Sequence, residues 1–374
     1  MKHNRIFLLV VLLVSGLMLA ACATTAEPIT EDEHSDEHED EHSDEHEHED
    51  EHGDEHSHEE GEAGMLALPE LEAADLGGEP LTVIATTSII GDVVAQVGGD
   101  AIALTVLMEP GQGPHSYEPS AGDLTTVSES DVVFVNGRNL EEGLADDLET
   151  IGEAAVIVPV SANIEPLEFG GHDHDEHGDD EHGDEHDDEH AHEHSGADPH
   201  TWFNVDHVKQ WAANVEQLLS TLDPANAETY AANAEAYLAE LDALETYVMD
   251  QVGAIPAENR LLVTNHDAFG YFADAYGFEV IGTVIPGAST LAEPSARDLA
   301  ELIEEMEENG VCTIFTETTV SDTLAQTVAA ELDGCETVQV LPLYTGSVGP
   351  EGSGAETYVD MFRANVDTIV DGLQ

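Results

Sequence analysis

The order of short apolar runs along the chain most constrains its fold. In two stretches these runs, which are typical of buried strands, alternate with segments of helical spacing. Such alternation favours parallel sheets covered by helices, with functional loops at the carboxyl ends of the strands. The predicted strands cover residues 81–86, 101–107, 131–136 and 154–159 in the first stretch and 261–264, 279–285, 311–316 and 337–341 in the second.

One long helix is predicted between the two stretches, starting at Asp223-Pro224 and ending near Gln251. Its apolar residues keep a 3.6-residue spacing, and neither Gly nor Pro interrupts it before Gly253. We therefore expect an α/β chain with two lobes, each a mostly parallel sheet flanked by helices, and a cleft between them. The apolar stripe comprises Tyr230, Ala234, Tyr237, Leu241, Leu244 and Val248.

The N-terminus has the features of an export signal. Lys2 and Arg5 precede an apolar segment, residues 6–19, that is short for a membrane span. The sequence Leu-Ala-Ala-Cys ending at Cys22 resembles the lipobox of bacterial lipoproteins. That resemblance implies removal of residues 1–21 and lipidation of Cys22; an ordinary secretory signal is the alternative. Either signal predicts a protein outside the cytoplasm, in the periplasm or on the outer face of the cell membrane.

Two low-complexity segments, residues 22–78 and 171–196, are rich in His, Asp and Glu. The first lacks the apolar side chains needed to offset the entropy of ordering, so it is predicted to be a disordered tether. The second is predicted to be a disordered loop within the first lobe. Imidazole and carboxylate groups bind zinc and related ions, so both segments are predicted to attract metal. A plain acidic spacer is the alternative for the first.

The chain is strongly acidic, with 82 Asp and Glu against 7 Lys and Arg and a formal net charge of −75. Binding nucleic acid requires clusters of Lys and Arg, which are absent, so nucleic acid is excluded as a partner. Cations are the expected partners. A saline habitat is the alternative explanation for the acidity outside the low-complexity segments.

Two further cysteines, Cys312 and Cys335, lie near the C-terminus. In an exported chain they are predicted to form a disulfide, and their spacing does not match a Cys-x-x-Cys zinc motif. Two buried free thiols are the alternative.

Three histidines stand in stiff loops rather than in the low-complexity segments. His115 lies in Gly-Pro-His-Ser-Tyr-Glu-Pro, His200 in Asp-Pro-His-Thr-Trp, and His266 in Asn-His-Asp-Ala-Phe-Gly-Tyr. Loops at the ends of parallel strands converge on one crevice, where three imidazoles make a zinc site. His207 lies in a predicted helix and is assigned a hydrogen-bonding role.

These three motifs, in this order and spacing, resemble the ligand motifs of the zinc-type solute-binding proteins of ABC transporters, the family that contains ZnuA. The resemblance extends from about Leu81 to the C-terminus. It implies lobes over residues 79–222 and 253–374, a rigid linking helix over 223–252 and a metal between the lobes. It also implies delivery of the metal to a membrane permease by a protein that catalyses nothing, and we expect a monomer. The implied ligands are His115, His200 and His266.

A fourth ligand is harder to assign. The family often supplies a carboxylate from the loop after the last strand, where this chain has Tyr344. Water, Glu118 and a residue of the segment 171–196 are the other candidates. Glu317 resembles a family motif at the end of a strand and is predicted to support the site more readily than to bind the metal.

Three imidazoles favour zinc as the bound metal. Manganese and iron carriers are expected to replace one imidazole with a carboxylate, because harder ions prefer oxygen. Copper(II) would bind three imidazoles more tightly than zinc does, so selectivity also depends on metal availability and geometry.

Two other functions are compatible with a histidine-rich chain. One is a zinc hydrolase, which would need Glu118 or Glu317 as a general base, and no Gly-x-Ser-x-Gly elbow supports it. The other is a metal buffer or surface adhesin, in which the low-complexity segments bind the metal and the folded domain is a platform.

Overall fold

The computed structural model describes residues 64–145, 147–148, 155–168 and 196–374. The predicted signal peptide, Cys22, the tether up to residue 63 and residues 171–195 of the second low-complexity segment lie outside the described residues. In the part of the chain that is described, no helix combines the length and the apolar character needed to cross a membrane.

The first lobe contains a sheet of four parallel strands in the order β2-β1-β3-β4. Strand β3 consists of buried apolar residues throughout, as expected for a sheet covered on both faces. The strands are β1 (Leu81–Ala85), β2 (Ile102–Val106), β3 (Val132–Val135) and β4 (Val156–Pro159), and the helices of this part are α1 (Ser88–Gly98), α2 (Ala121–Ser128) and α3 (Val205–Leu222).

The second lobe repeats this topology with four parallel strands in the order β6-β5-β7-β8. The prediction of two α/β lobes is confirmed. The last strand begins and ends two residues later than predicted, because the apolar run continues through Pro342 and Leu343. The strands are β5 (Leu261–Thr264), β6 (Glu279–Thr283), β7 (Thr313–Glu317) and β8 (Gln339–Leu343), and the helices are α5 (Gly270–Tyr276), α6 (Ala296–Asn309), α7 (Thr323–Glu331) and α8 (Tyr358–Leu373).

The long helix α4 (Ala227–Val252) connects the lobes and has 26 residues. It starts after Asn226, later than predicted, because Asp223 ends α3 and its carboxylate accepts a hydrogen bond from Tyr230. The predicted apolar stripe is buried along its whole length. Helix α4 packs against α1 of the first lobe and α8 of the second, and one continuous apolar core includes residues of all three helices. The lobes therefore share a core along α4.

Residues 64–80 lie along the first lobe, although the tether was predicted to extend to residue 78. The Leu66 side chain is buried, and its carbonyl oxygen accepts a hydrogen bond from the backbone N–H of Asn163. The boundary predicted from composition is too late, because spaced leucines at the end of the acidic segment reach the core. Those that pack against it are Leu68, Leu71 and Leu76.

Cys312 and Cys335 form a disulfide, with Cα atoms 5.8 Å apart. It ties the residue before β7 to the segment that follows α7. The disulfide therefore braces the strand that ends at Glu317.

Candidate metal centre

His115 lies in the loop between β2 and α2 and is 4% exposed. Its Nδ1 is 3.0 Å from Oε1 of Glu142, which begins a short 3₁₀ turn, Glu142–Leu144, after β3. An imidazole Nδ1–H that donates to a carboxylate leaves Nε2 as an acceptor. The Nε2 lone pair of His115 is therefore free to bind a cation.

His200 immediately precedes a 3₁₀ turn, Thr201–Phe203. Oδ1 of Asp198 accepts hydrogen bonds from both the backbone N–H and Nδ1 of His200, each at 2.8 Å. The Asn136 side chain donates to the Pro199 carbonyl, and the Trp202 ring lies 5.3 Å from the imidazole, centroid to centroid. The ring of His200 is therefore held from several sides.

His266 follows β5 in the second lobe and is 2% exposed. Its Nδ1 donates to Oε1 of Glu317, the last residue of β7. Asn265 donates to the same oxygen at 3.1 Å, and the Thr345 hydroxyl donates to Oε2 of Glu317 at 2.5 Å. Glu317 thus orients His266.

The three imidazoles meet between the lobes. Nε2 of His200 is 3.2 Å from Nε2 of His115 and 3.1 Å from Nε2 of His266. All three ligand atoms lie within 4.8 Å of one another. Tetrahedral zinc with Zn–N bonds of about 2.05 Å places its nitrogens about 3.3 Å apart, so the two distances from His200 match the spacing of zinc ligands.

The donor set also fits a cation. Because each Nδ1 lies against a carboxylate, the three Nε2 atoms face one another, and each offers an acceptor lone pair when its imidazole is neutral. Buried acceptors without a donor are costly, and a divalent cation would satisfy all three at once. Among the described residues, this is the one group that could hold a metal ion through three or more His, Cys, Asp or Glu side chains.

The pKa values of the histidines and carboxylates in the site are shifted in different directions. Burial lowers the pKa of His200, and the charges of His266 and His115 lower it further. Burial also acts to lower the pKa of His266, but the charge and hydrogen bond of Glu317 outweigh it and raise the pKa. Burial raises the pKa of Asp198 to about 7. For Glu317, burial acts to raise the pKa, but the charge of His266 and hydrogen bonds from His266, Thr345 and Asn265 outweigh it and lower the pKa to about 2.

Comparison with known proteins supplies the family. The model of the family described as "ZnuA: Zinc-uptake complex component A periplasmic" matches residues 83–372. The chain belongs to the ZnuA family.

The names of similar proteins specify either manganese or zinc. The manganese-binding lipoprotein MntA of Halalkalibacterium halodurans is 36% identical over 296 residues, covering 79% of this chain and 89% of the relative. The zinc-binding protein TroA of Treponema pallidum is 33% identical over 307 residues, covering 80% and 90%. The manganese transporter lipoprotein PsaA of Streptococcus pneumoniae is also 33% identical over 307 residues, covering 79% and 90%.

Solved structures show the same architecture. The periplasmic zinc-binding protein TroA of Treponema pallidum superposes with a TM-score of 0.68 at 30% identity, covering 79% of this chain and 99% of TroA. A manganese-bound periplasmic protein of Candidatus Liberibacter asiaticus gives 0.65 at 26% identity, covering 79% and 100%. The chain is thus a metal-binding, substrate-binding protein of the ABC-transporter type that works outside the cytoplasm, and not an enzyme. Such proteins work with a membrane permease and an ATPase.

Two of the candidates for a fourth ligand, Glu118 and Tyr344, do not line the cavity beside the three histidines. Glu118 is exposed. The Tyr344 side chain packs against the core, while its backbone N–H and carbonyl pair with the side chain of Asn365. The same loop instead brings Thr345 and Gly346 to the site, so it supplies no carboxylate there.

Three residues of the site were missed from sequence. Asp198 stands within the Asp-Pro-His motif, so its place two residues before a ligand was an available signal. Glu142 is 27 residues from His115 along the chain, and Thr345 is 28 residues from Glu317. Neither separation leaves a local pattern, so no signal in the sequence pairs them.

Proposed function

We propose that this chain captures Zn²⁺ outside the cytoplasm and delivers it to the permease of an ABC transporter. His115, His200 and His266 are the proposed ligands, and water is the proposed fourth. The lipid on Cys22 would tether the protein to the membrane, and the low-complexity segments would collect metal for the site.

The composition of the donor set carries this proposal. All three donors are imidazole nitrogens, while the carboxylates of Glu142, Asp198 and Glu317 are engaged by the opposite ring nitrogens. Zinc accepts a nitrogen-rich, four-coordinate site, whereas manganese prefers oxygen ligands and a higher coordination number. The imidazole site therefore supports zinc as the cargo.

A manganese carrier is the second candidate. The printed names of MntA and PsaA, both more than 30% identical to this chain, specify manganese. Manganese would need oxygen ligands beyond the three imidazoles, and water could supply them.

Competition between the two metals separates these candidates. Zn²⁺ and Mn²⁺ are titrated, with stoichiometry, against a chelator on the full mature chain, beside His200→Ala. His207→Ala is the matched control, because His207 lies on α3 outside the cluster.

We expect one tightly held zinc that manganese does not displace, lost in His200→Ala and retained in His207→Ala. A site that holds manganese against zinc would make the chain a manganese carrier. If the wild type and both variants bind zinc only weakly, with no single tight site, the protein would instead be a metal buffer in which the low-complexity segments bind the metal.

A further inference from the structure

The two oxygens of Glu317 have separate sets of partners. Oε1 accepts from His266 Nδ1 and from Asn265. Oε2 accepts from the hydroxyl of Thr345 at 2.5 Å and lies 3.5 Å from that of Thr319. Glu317 also lines the cavity beside the three imidazoles, where it is 6% exposed. The orientation of this carboxylate therefore depends on the donors around it.

Thr345 is in turn held by the first lobe. Its carbonyl oxygen accepts a hydrogen bond from the indole N–H of Trp202 at 2.9 Å, two residues after His200. The next residue, Gly346, is so close to Pro114 that an added Cβ would lie 2.5 Å from the proline Cδ. Thr345 is 2% exposed. Residues beside two of the three proposed ligands thus set the position of the Thr345 hydroxyl.

We propose that Thr345 is a positioning residue that sets metal selectivity. Its hydroxyl holds Glu317 as the hydrogen-bond acceptor of His266 and keeps this carboxylate from becoming a metal ligand. The inference rests on the proposed function and adds to it a residue that touches no metal.

The chemistry of the site links this hydrogen bond to the choice of metal. With Oε2 engaged by Thr345, a cation in the site meets the three imidazole nitrogens and not the carboxylate of Glu317. Without the hydroxyl, Oε2 loses its closest partner, and the carboxylate can turn toward the cavity that it already lines. An added oxygen ligand favours harder ions such as Mn²⁺, and a loosened partner makes His266 a weaker zinc ligand.

A purely structural role for Thr345 predicts a different result. If the hydroxyl only stabilises the loop after β8, its loss should weaken zinc and manganese binding by similar factors. The ratio of the two affinities, and the coordination of the bound metal, therefore distinguish the two roles.

The test uses the full mature chain with three substitutions. Thr345→Val removes the hydroxyl at nearly constant shape, and Thr345→Ser restores it. Thr313→Val is the matched control, because Thr313 is also buried and its hydroxyl donates to the Gly372 carbonyl at the opposite end of β7. The probes are Zn²⁺ and Mn²⁺ in competition, and the visible spectrum with less than one equivalent of Co²⁺.

We expect Thr345→Val to bind zinc about tenfold more weakly and to lose about tenfold in the ratio of zinc to manganese affinity. Its cobalt spectrum should change in intensity, because the coordination number rises. Thr345→Ser and Thr313→Val should keep the wild-type ratio and spectrum. In a Glu317→Gln background, Thr345→Val should leave the ratio unchanged, because the amide is not a carboxylate ligand.

An unchanged affinity ratio and cobalt spectrum in Thr345→Val would overturn the proposal. It would also be overturned if Thr345→Ser lowered the ratio of zinc to manganese affinity as much as Thr345→Val does. If the valine variant does not fold, Thr345→Ala is measured with the same expectation. A wild type that prefers manganese would overturn only the proposal that zinc is the cargo. The role of Thr345 would still be supported if Thr345→Val, and not Thr313→Val, lowered the ratio of zinc to manganese affinity.

Discussion

In the first lobe, His115 is held by Glu142, whose side chain is 30% exposed. In the second lobe, His266 is held by Glu317, whose side chain is 3% exposed. Glu142 belongs to a short turn, while Glu317 ends a central strand and has donors on both oxygens. Hydrogen bonds from His115 and from Ser289 of the second lobe outweigh burial and lower the pKa of Glu142.

This difference suggests a division between the two sides of the site. The side chains that hold His266 all belong to the second lobe, although Trp202 of the first lobe holds the backbone of Thr345. The support of His115 rests on the partly exposed carboxylate of Glu142, whose pKa Ser289 of the second lobe helps to lower. The His266 side is therefore the more enclosed of the two, and contacts between the lobes contribute to both sides.

Replacing the two carboxylates one at a time tests this comparison most strongly. Glu317→Gln should weaken zinc binding by up to about 100-fold, because a buried orienting partner is lost. Glu142→Gln should cost about tenfold, because water can replace part of its contact. Zinc competition against a chromophoric chelator measures both. Equal losses would show that the exposure of the partner does not matter.

The pH dependence of zinc binding sharpens the comparison. Binding requires neutral imidazoles, and the raised pKa of His266 makes it the group that holds a proton to the highest pH. As pH falls through that pKa, zinc affinity should fall by up to about tenfold per pH unit, beginning above the ordinary histidine value of about 6.5. His200, whose pKa is lowered, should add its effect only at lower pH.

Calorimetry in two buffers of different ionisation enthalpy measures the protons released on zinc binding. Release should be about half a proton at the pKa of His266 and approach about one proton below it, and this profile should shift to lower pH in Glu317→Gln. The same raised pKa means that protonated His266 stabilises the metal-free fold below about pH 6.5, a contribution that is lost as pH rises through the folded value. No proton release between pH 6 and 8 would contradict the assignment.

The smallest effect on binding is expected from the disulfide. Replacing Cys312 and Cys335 together with serine should destabilise the fold by about 3 kcal/mol, because the bond closes a loop with a sequence separation of 23. Zinc affinity should change less than twofold, because the bond lies near the start of β7 while Glu317 lies at its end. Thermal unfolding and zinc competition measure the two effects. A larger loss of affinity would mean that the support of His266 extends along the whole strand.

Much of this protein could be predicted from local pattern. Short apolar runs located the strands, and an uninterrupted stripe with a 3.6-residue spacing located the long helix, because each pattern depends on neighbours within a few residues. The three histidines were recognisable because stiff loops containing Pro or Gly surround each one. The end of the tether was misplaced, since leucines within an acidic segment reveal their packing only in the folded chain.

Tertiary structure alone decided how the site is supported. Glu317 is 51 residues from His266, and Thr345 is 143 residues from Trp202. Contacts at such separations follow from how two lobes pack around α4, and no local preference of the backbone records them. The sequence by itself thus determined the elements and the three imidazoles, while packing decided which carboxylate and which hydroxyl hold each imidazole in place.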